Sequence, residues 1–350
     1  MLSKVIIYRQ DKTVYGFGYV KDQLSYVTQD YDGFASEAVF NAKIIKINHA
    51  EHSAFIEYSS GETGFVNLSK GARLQDGANL LVQLTWLGDE HKQPKFRTSI
   101  QLVGKYVVAA LSSSVNADCS RASIAEREKL TQAMLCYPAK WTLRSSVKQM
   151  ADIEPVMLEI EHIGAQLTRL AGLSTSETVA GTPNYLKLLR SLPLTQDCVI
   201  SSNDKQVDEQ LLSYQDCWLL DTIEYNPRLN MEQELTAYQE LLTSSSYSLS
   251  NGASLEIHCL SGINLIDVNS DKAKLTRSQL NFLVLDAIYQ QICLRNLQGI
   301  ILLDLLKNTT KAEQEQVIEY LKKLFKYDIT NTKILGFSHS GLCELIRQKF

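Results

Sequence analysis

The sequence contains no run of about 18 uncharged apolar residues, so no membrane-spanning helix is expected. It has no C-x-x-C pair. Its seven cysteines, at 119, 136, 198, 217, 259, 293 and 343, do not cluster with its six histidines. A zinc site needs such a cluster, so none is expected, and reduced structural thiols are the reading. G-x-S-x-G, H-E-x-x-H and Walker loops are missing, which removes the familiar serine-hydrolase, zinc-protease and P-loop chemistries. Excess positive charge is missing too: 35 Lys and Arg against 39 Asp and Glu give −4. That argues against gripping duplex nucleic acid by bulk electrostatics and leaves room for a local basic groove. There is no internal repeat and no low-complexity tract. The N-terminal MLSKVIIYRQ meets charge too early for a secretory signal, so a cytoplasmic protein is expected.

What is present is ordinary globular material: 350 residues, 45% of them apolar. That composition excludes wholesale disorder, and the length suits two to four modules. Residues 1–35 alternate apolar and polar in short strands broken by turn signals. Gly16 and Gly18 form a G-x-G with no helix after it, so they read as strand glycines rather than a phosphate loop. Five strand-like segments at about ten-residue spacing over 36–110 predict a small closed barrel. Beyond residue 123 the pattern changes to helices at 124–136, 152–172, 184–192 and 230–245. WTLRSSV and DCVISS read as strands, and 172–184 reads as a linker. From residue 253 onward, ASLEIHCL and INLIDVN read as strands and 278–297 as a buried helix. GIILLDLL reads as a strand buried on both faces, 310–327 as an amphipathic helix with a Thr310/Glu313 capping box, KILGF as a strand and SGLCELIRQKF as a closing helix.

Two acids interrupt strand-like apolar runs: Asp267 in NLIDVN and Asp304 in IILLDLL. A carboxylate in a buried strand is costly unless paired, hydrogen-bonded or bound to a cation. The residues between them fit a βαβ unit. Adjacent parallel strands would bring both acids to one sheet edge, where open α/β sheets place their sites. Two hard oxygen donors there suit Mg²⁺, and Asn269 falls on the same face as Asp267. Pattern alone leaves open that each Asp is a capping or turn residue.

The motifs IDVNS, LRNLQGIILLD and GLCELIRQK, in that order, resemble those of the bacterial ribonuclease E/G family of single-strand-specific endoribonucleases. The family carries I-D-x-N, L-R-x-x-G-G-[IL]-[IV]-[IV]-D and G-[LI]-x-E-[ML]-[ST]-R-[KR] at similar spacing, and the resemblance extends weakly over the remaining chain. It implies a multidomain α+β or α/β fold. That fold would have an RNase H-like element in two parts (1–35 and 173–252), an OB-type barrel (36–110), a 5′-sensor region (111–172) and a DNase I-like catalytic module (253–350). It implies Mg²⁺, with Mn²⁺ as an alternative, held by Asp267 and Asp304 with Asn269 in support. The implied reaction is endonucleolytic cleavage of single-stranded RNA in rRNA or mRNA processing or decay.

The resemblance also assigns RNA contacts. Phe55 and Phe65 would stack bases, although barrel core is the competing reading, and Lys92 and Arg97 would meet phosphates. Arg144 and Ser145, in the segment matching G-x-I-x-R-T-A, would bind a 5′-terminal monophosphate with help from Arg121. The sequence departs from the family in losing acids: Ser261 and Lys307 stand where the family has them, and Asn281-Phe282-Leu283-Val284 replaces N-L-E-A. These losses motivate the alternative of an RNA-binding paralogue with weakened catalysis. The family's C-P-x-C zinc link is not in the sequence, so no zinc and a monomer or weak homodimer, rather than the family tetramer, are expected.

Overall fold

Alternating burial along short strands and capped amphipathic helices build the fold seen in a computed structural model. It describes all residues except 34, 70, 72, 89–91, 174–177, 180, 261, 307–309 and 349–350, and the side chains of 149, 171 and 327. The architecture is mixed α+β. The chain divides into two compact units: Met1–Gln29, Ser191–Lys205 and Glu224–Lys349 form the first, Asp30–Arg190 and Gln206–Ile223 the second.

In the first unit, strand Leu2–Gln10 pairs antiparallel with Thr13–Val20, which carries Gly16 and Gly18, and parallel with Leu194–Ser202. Its apolar side chains, with Phe17 and Val27, pack on Met231, Leu235 and Tyr238 of helix Glu232–Thr243 and its entry, and on Leu294. A six-stranded sheet follows in the order Ser246–Ser248, Ser254–Leu260, Ile263–Asn269, Gly299–Asp304, Cys343–Arg347, Thr332–Phe337. Helices Arg277–Leu294 and Lys311–Leu324 both cover one face of it, burying Ile266, Val268, Ile301, Leu303 and Leu345. Each helix starts at a capping box, Thr276/Gln279 and Thr310/Glu313, which satisfies otherwise orphaned N–H groups.

Two expectations are corrected here. Gly299–Asp304 is buried on one face rather than both. Because the two helices share a face, Ile300 on the other side remains 42% exposed. The closing segment is a strand, not a helix. Cys343, Leu345 and Arg347 are buried while Glu344 and Ile346 face away, a period of two, and the segment pairs antiparallel with both Gly299–Asp304 and Thr332–Phe337. The turn before it closes through Ser338 N–H donating to the Leu342 carbonyl (2.9 Å), with Gly341 at φ +88°. That positive φ suits glycine, which has no Cβ to clash.

In the second unit, strands Val39–Asn48, Ser53–Ser59, Glu62–Asn67, Lys95–Arg97 and Asn79–Trp86 pair in that order, and Val39–Asn48 also pairs with Asn79–Trp86. This closes a five-stranded barrel of OB-like form around Phe40, Ile44, Ile56, Val66, Val82 and Phe96. The barrel ends at Arg97. Residues Gln101–Val103 and Val107–Leu111, expected within it, instead form a separate four-stranded sheet with Ala139–Leu143 and Asn116–Asp118. Helices Ile124–Leu135 and Glu154–Ala171 cover that sheet through Leu130, Met134, Val156, Ile160 and Leu167. The segment WTLRSSV is strand only to Leu143, and a 3-10 turn begins at Ser145. Residues 206–223 also fall in the second unit.

Candidate active site and nucleic-acid interface

Strands Ile263–Asn269 and Gly299–Asp304 are parallel neighbours, and their register sets Asp267 beside Asp304. Neighbouring strands run about 4.8 Å apart, and register partners project to the same face, so the two carboxylates stand side by side at the carboxyl ends of the strands. Their chain neighbours Ile266, Val268, Leu303 and Leu305 are buried under the helices, so both acids face away from that layer. Asp304 is exposed and Asp267 half-buried. Asn269 donates from Nδ2 to Asp267 Oδ2 at 3.3 Å. Among the described residues no ion pair engages either acid.

A cleft of about 380 Å³ opens at the same edge, lined by Asn281, Phe282, Asp304, Leu306, Glu313 and Ser340 among others. Both covering helices begin here, and helix N-termini carry partial positive charge that favours anions. Asn281 holds the segment after Asp304: its Nδ2 donates to the Leu306 carbonyl at 2.9 Å and its Oδ1 accepts from Leu306 N–H at 3.0 Å. Leu283, where an acid was sought, is 53% exposed. Glu256 is the register partner of Asp267 on its other side, a third carboxylate on this face that the sequence reading missed, and it sits 3.6 Å from His258. Even so, among the described residues no three His, Cys, Asp or Glu side chains come together as a metal-binding group. Ser261 and Lys307 lie outside the described residues.

On the barrel, Phe55 and Phe65 are register partners with ring centroids 5.9 Å apart at 72°. Phe55 is 43% exposed and Phe65 half-buried, whereas their neighbours Ala54, Ile56 and Val66 are fully buried. The pair is therefore on the outer surface rather than in the core. Lys92 is exposed. Arg97 is engaged internally: Nε and Nη2 donate to Gln83 Oε1 at 3.0 and 2.7 Å, and Nη1 to Gln101 Oε1 at 3.3 Å. Burial holds its pKa below the ordinary value. Its place is at the joint between barrel and following sheet, where Gln83 also donates to the carbonyls of Glu37 and Gln101.

Arg144, Ser145 and Arg121 come together at the end of strand Ala139–Leu143. Arg121 donates from Nη1 to the Leu143 carbonyl, and Arg144 from Nη1 to the Gly104 carbonyl. Ser145 is exposed, while Arg144 is part-buried and desolvation lowers its pKa. Beneath them lies Glu159, fully buried, which the sequence reading did not single out. Its carboxylate accepts from the backbone N–H groups of Lys105, Tyr106 and Val107 at 2.6, 2.7 and 3.0 Å and from Trp218 Nε1 at 2.6 Å. Burial raises its pKa while these donors oppose the rise. The loop that Arg144 touches is thus fixed from below by a single carboxylate. The acid pair lies in the first unit, and the barrel surface and the Arg144 cluster lie in the second.

Comparisons with known proteins fit the acid-bearing half best. Residues 200–350 match the Ribonuclease E/G family. The chain is 22% identical over 354 residues to Ribonuclease E of Buchnera aphidicola subsp. Acyrthosiphon pisum, covering 89% of this chain and 39% of that protein. It is 25% identical over 342 residues to a Ribonuclease E/G-like protein of Pyropia yezoensis, covering 88% of this chain and 66% of that protein. A Ribonuclease E/G-like protein of Porphyra purpurea is 27% identical over 182 residues, half of this chain. The chain thus spans about two fifths of the length of the Buchnera relative. Both acid-bearing strands, the helix that joins them and the closing hairpin all lie inside the stretch, residues 200–350, that matches the Ribonuclease E/G family.

Proposed function

We propose that the chain is a Mg²⁺-dependent endoribonuclease that hydrolyses single-stranded RNA and leaves a 5′-phosphate on the downstream product. The carrying observation is the in-register pair Asp267 and Asp304 on adjacent parallel strands. The donors fit the ion: Mg²⁺ commonly takes one or two carboxylates and keeps waters for phosphate oxygens, and neither acid has a cationic partner among the described residues. Asp267 and Asp304 would hold it, or Mn²⁺ in its place, with Asn269 orienting the Asp267 carboxylate. When bound, such a cation supplies Lewis-acid stabilisation of negative charge developing on the scissile phosphate. The remaining work falls to the chain. The Asn281 clamp keeps the segment after Asp304 in place, and the two helix N-termini favour the phosphate backbone at that edge.

Phe55 and Phe65 hold bases by stacking, which is worth about 1–3 kcal/mol per base, and Lys92 meets phosphate. Arg144, with Ser145 and Arg121, receives a 5′-terminal monophosphate, for which an Arg fork is suited. In this reading the first unit supplies the RNase H-like and DNase I-like parts. The protein works in the cytoplasm on rRNA or mRNA, as a monomer or weak homodimer.

A second reading, an RNA-binding relative with weakened catalysis, is favoured by the exposed aliphatic Leu283, next in sequence to the cleft-lining Phe282, and by the absence, among the described residues, of any cluster of three His, Cys, Asp or Glu side chains. Cleavage of a fluorescent, 5′-monophosphorylated, A/U-rich single strand separates the two. The test compares Mg²⁺ with EDTA and the native protein with Asp304→Asn. The endoribonuclease reading expects cleavage only with Mg²⁺ and native Asp304, with RNA affinity retained in the variant. Binding without cleavage at millimolar Mg²⁺ and Mn²⁺ would sink it.

A further inference from the structure

The outer surface of the barrel carries more than the Phe55–Phe65 pair. Following the register from strand to strand, Lys46 lies opposite Phe55, Phe55 opposite Phe65, Phe65 opposite Lys95, and Lys95 opposite Trp86. One residue from each of the five strands thus forms a row across the barrel: Lys, Phe, Phe, Lys, Trp. At about 4.8 Å between strands the row is about 20 Å long. The row faces outward. Lys46, Phe55 and Lys95 are exposed and Phe65 and Trp86 half-buried, while the adjacent Ala54, Ile56, Val66 and Phe96 fill the core.

Both ends of the row depend on register shifts, one between Ile44 and Lys46 and one between Leu84 and Trp86. An extra residue in a strand re-aims the side chains beside it, and such bulges concentrate near functional sites. At the second shift the result is a contact: Lys95 Nζ lies 5.6 Å from the centre of the Trp86 ring. An indole face attracts an ammonium and restrains its long stem, yet offers it no hydrogen-bond acceptor. The three N–H donors of Lys95 therefore remain for an anion.

We propose that Lys46, Lys95 and Trp86 extend the aromatic pair into a continuous track for single-stranded nucleic acid, laid across the strands of the barrel. Bases stack on Phe55 and Phe65. The ammonium groups of Lys46 and Lys95 flank the pair and take the phosphates on either side. Trp86 is a positioning residue that fixes Lys95. Alternating rings and point charges is the chemistry of sequence-tolerant single-strand binding, and a protein with a net charge of −4 needs its cations localised in this way. The proposal rests on the reading of the barrel as the RNA-holding part.

The test is fluorescence anisotropy of a labelled A/U-rich 12-nucleotide RNA on the full chain. It is run in EDTA so that nothing is cut, across a series of KCl concentrations. Lys46→Gln and Lys95→Gln are expected to weaken binding and each to flatten the dependence of log affinity on log salt by about 0.7, one phosphate contact on a single strand. Phe55→Ala is expected to weaken binding about fivefold or more with the salt slope unchanged. Trp86→Leu is expected to reproduce the slope change of Lys95→Gln and to add nothing in the double variant, whereas Trp86→Phe retains the native slope. If both lysine variants keep native affinity and slope while Phe55→Ala weakens binding, the track is overturned and the barrel reading stands. If the native chain binds no single strand, both fall.

Discussion

Glu159 shows how much one side chain can organise. Four donors from two separated parts of the second unit converge on it. An amide at this position could accept only through its one oxygen, and its own N–H groups would face donors. Glu159→Gln is therefore expected to destabilise the protein by about 3 kcal/mol, the cost of leaving buried donors unpaired. Urea unfolding would measure it, and a loss under about 0.5 kcal/mol would show that the loop at 104–107 does not depend on this carboxylate. Nothing local in the sequence announces this role. Glu159 sits beside the apolar stripe Val156, Ile160, Ile163 and Leu167, but its partners lie more than fifty positions away on either side. Asp267 and Asp304 were legible for the opposite reason. Each breaks an aliphatic run, and the interval between them has the length of one crossover helix, so strand register did the rest. Trp86 and Lys95 were not legible, because register shifts decide which way their side chains point.

Among the elements, the closing strand teaches most. Its C-E-L-I-R alternation is only five residues long, too short to outweigh a helical reading of the motif around it, and its pairing on both sides is what makes it a strand. Arg347 ends it, fully buried. Its Nε and Nη2 donate to both carboxylate oxygens of Asp328 at 2.8 and 3.0 Å, and its Nη1 to Asn296 Oδ1 and the Leu297 carbonyl. Removing one partner of a buried ion pair strands the other charge. Arg347→Met is expected to cost about 3–5 kcal/mol, and pairing it with Asp328→Leu is expected to recover a large part of that loss. Thermal unfolding of the two variants checks this; equal losses would mean that the strand is held by its ladder and its aliphatics alone. The helices at 124–135, 277–294 and 311–324, in contrast, were legible, and Ser123, Thr276 and Thr310 each precede a Gln or Glu by three positions, a spacing that is itself the cap; Lys205–Ser213 and Gln215–Trp218 were not expected.

At the scale of the whole molecule, proton linkage gives a sharp expectation. Lys187 is 8% exposed and donates to Ser36 Oγ and to Asn184 Oδ1. Burial brings its pKa down from 10.5 to about 8, against the pull of Glu37. Between those two values the unfolded chain binds the proton and the native chain does not, so stability rises with pH there, by up to about 1.4 kcal/mol per pH unit for one proton, and is flat in this respect below about 8. Urea unfolding of native protein and Lys187→Met from pH 7 to 10.5 isolates the effect as their difference. A difference that stays constant across the range would mean that the lysine is not desolvated in solution.

The path of the chain carries a further consequence. Strand Leu2–Gln10 is made first, yet its parallel partner Leu194–Ser202 is made roughly 185 residues later. At about 5–20 residues per second, that partner reaches the ribosome exit some 10–40 s after the first strand. The stretch Asp30–Arg190, with its closed barrel and covered sheet, is complete within that interval. During synthesis the surface bearing Phe55 and Phe65 therefore exists before the carboxylates at 267 and 304 have been translated, and under the proposed function a nascent chain would hold a strand well before it had anything to cut it with.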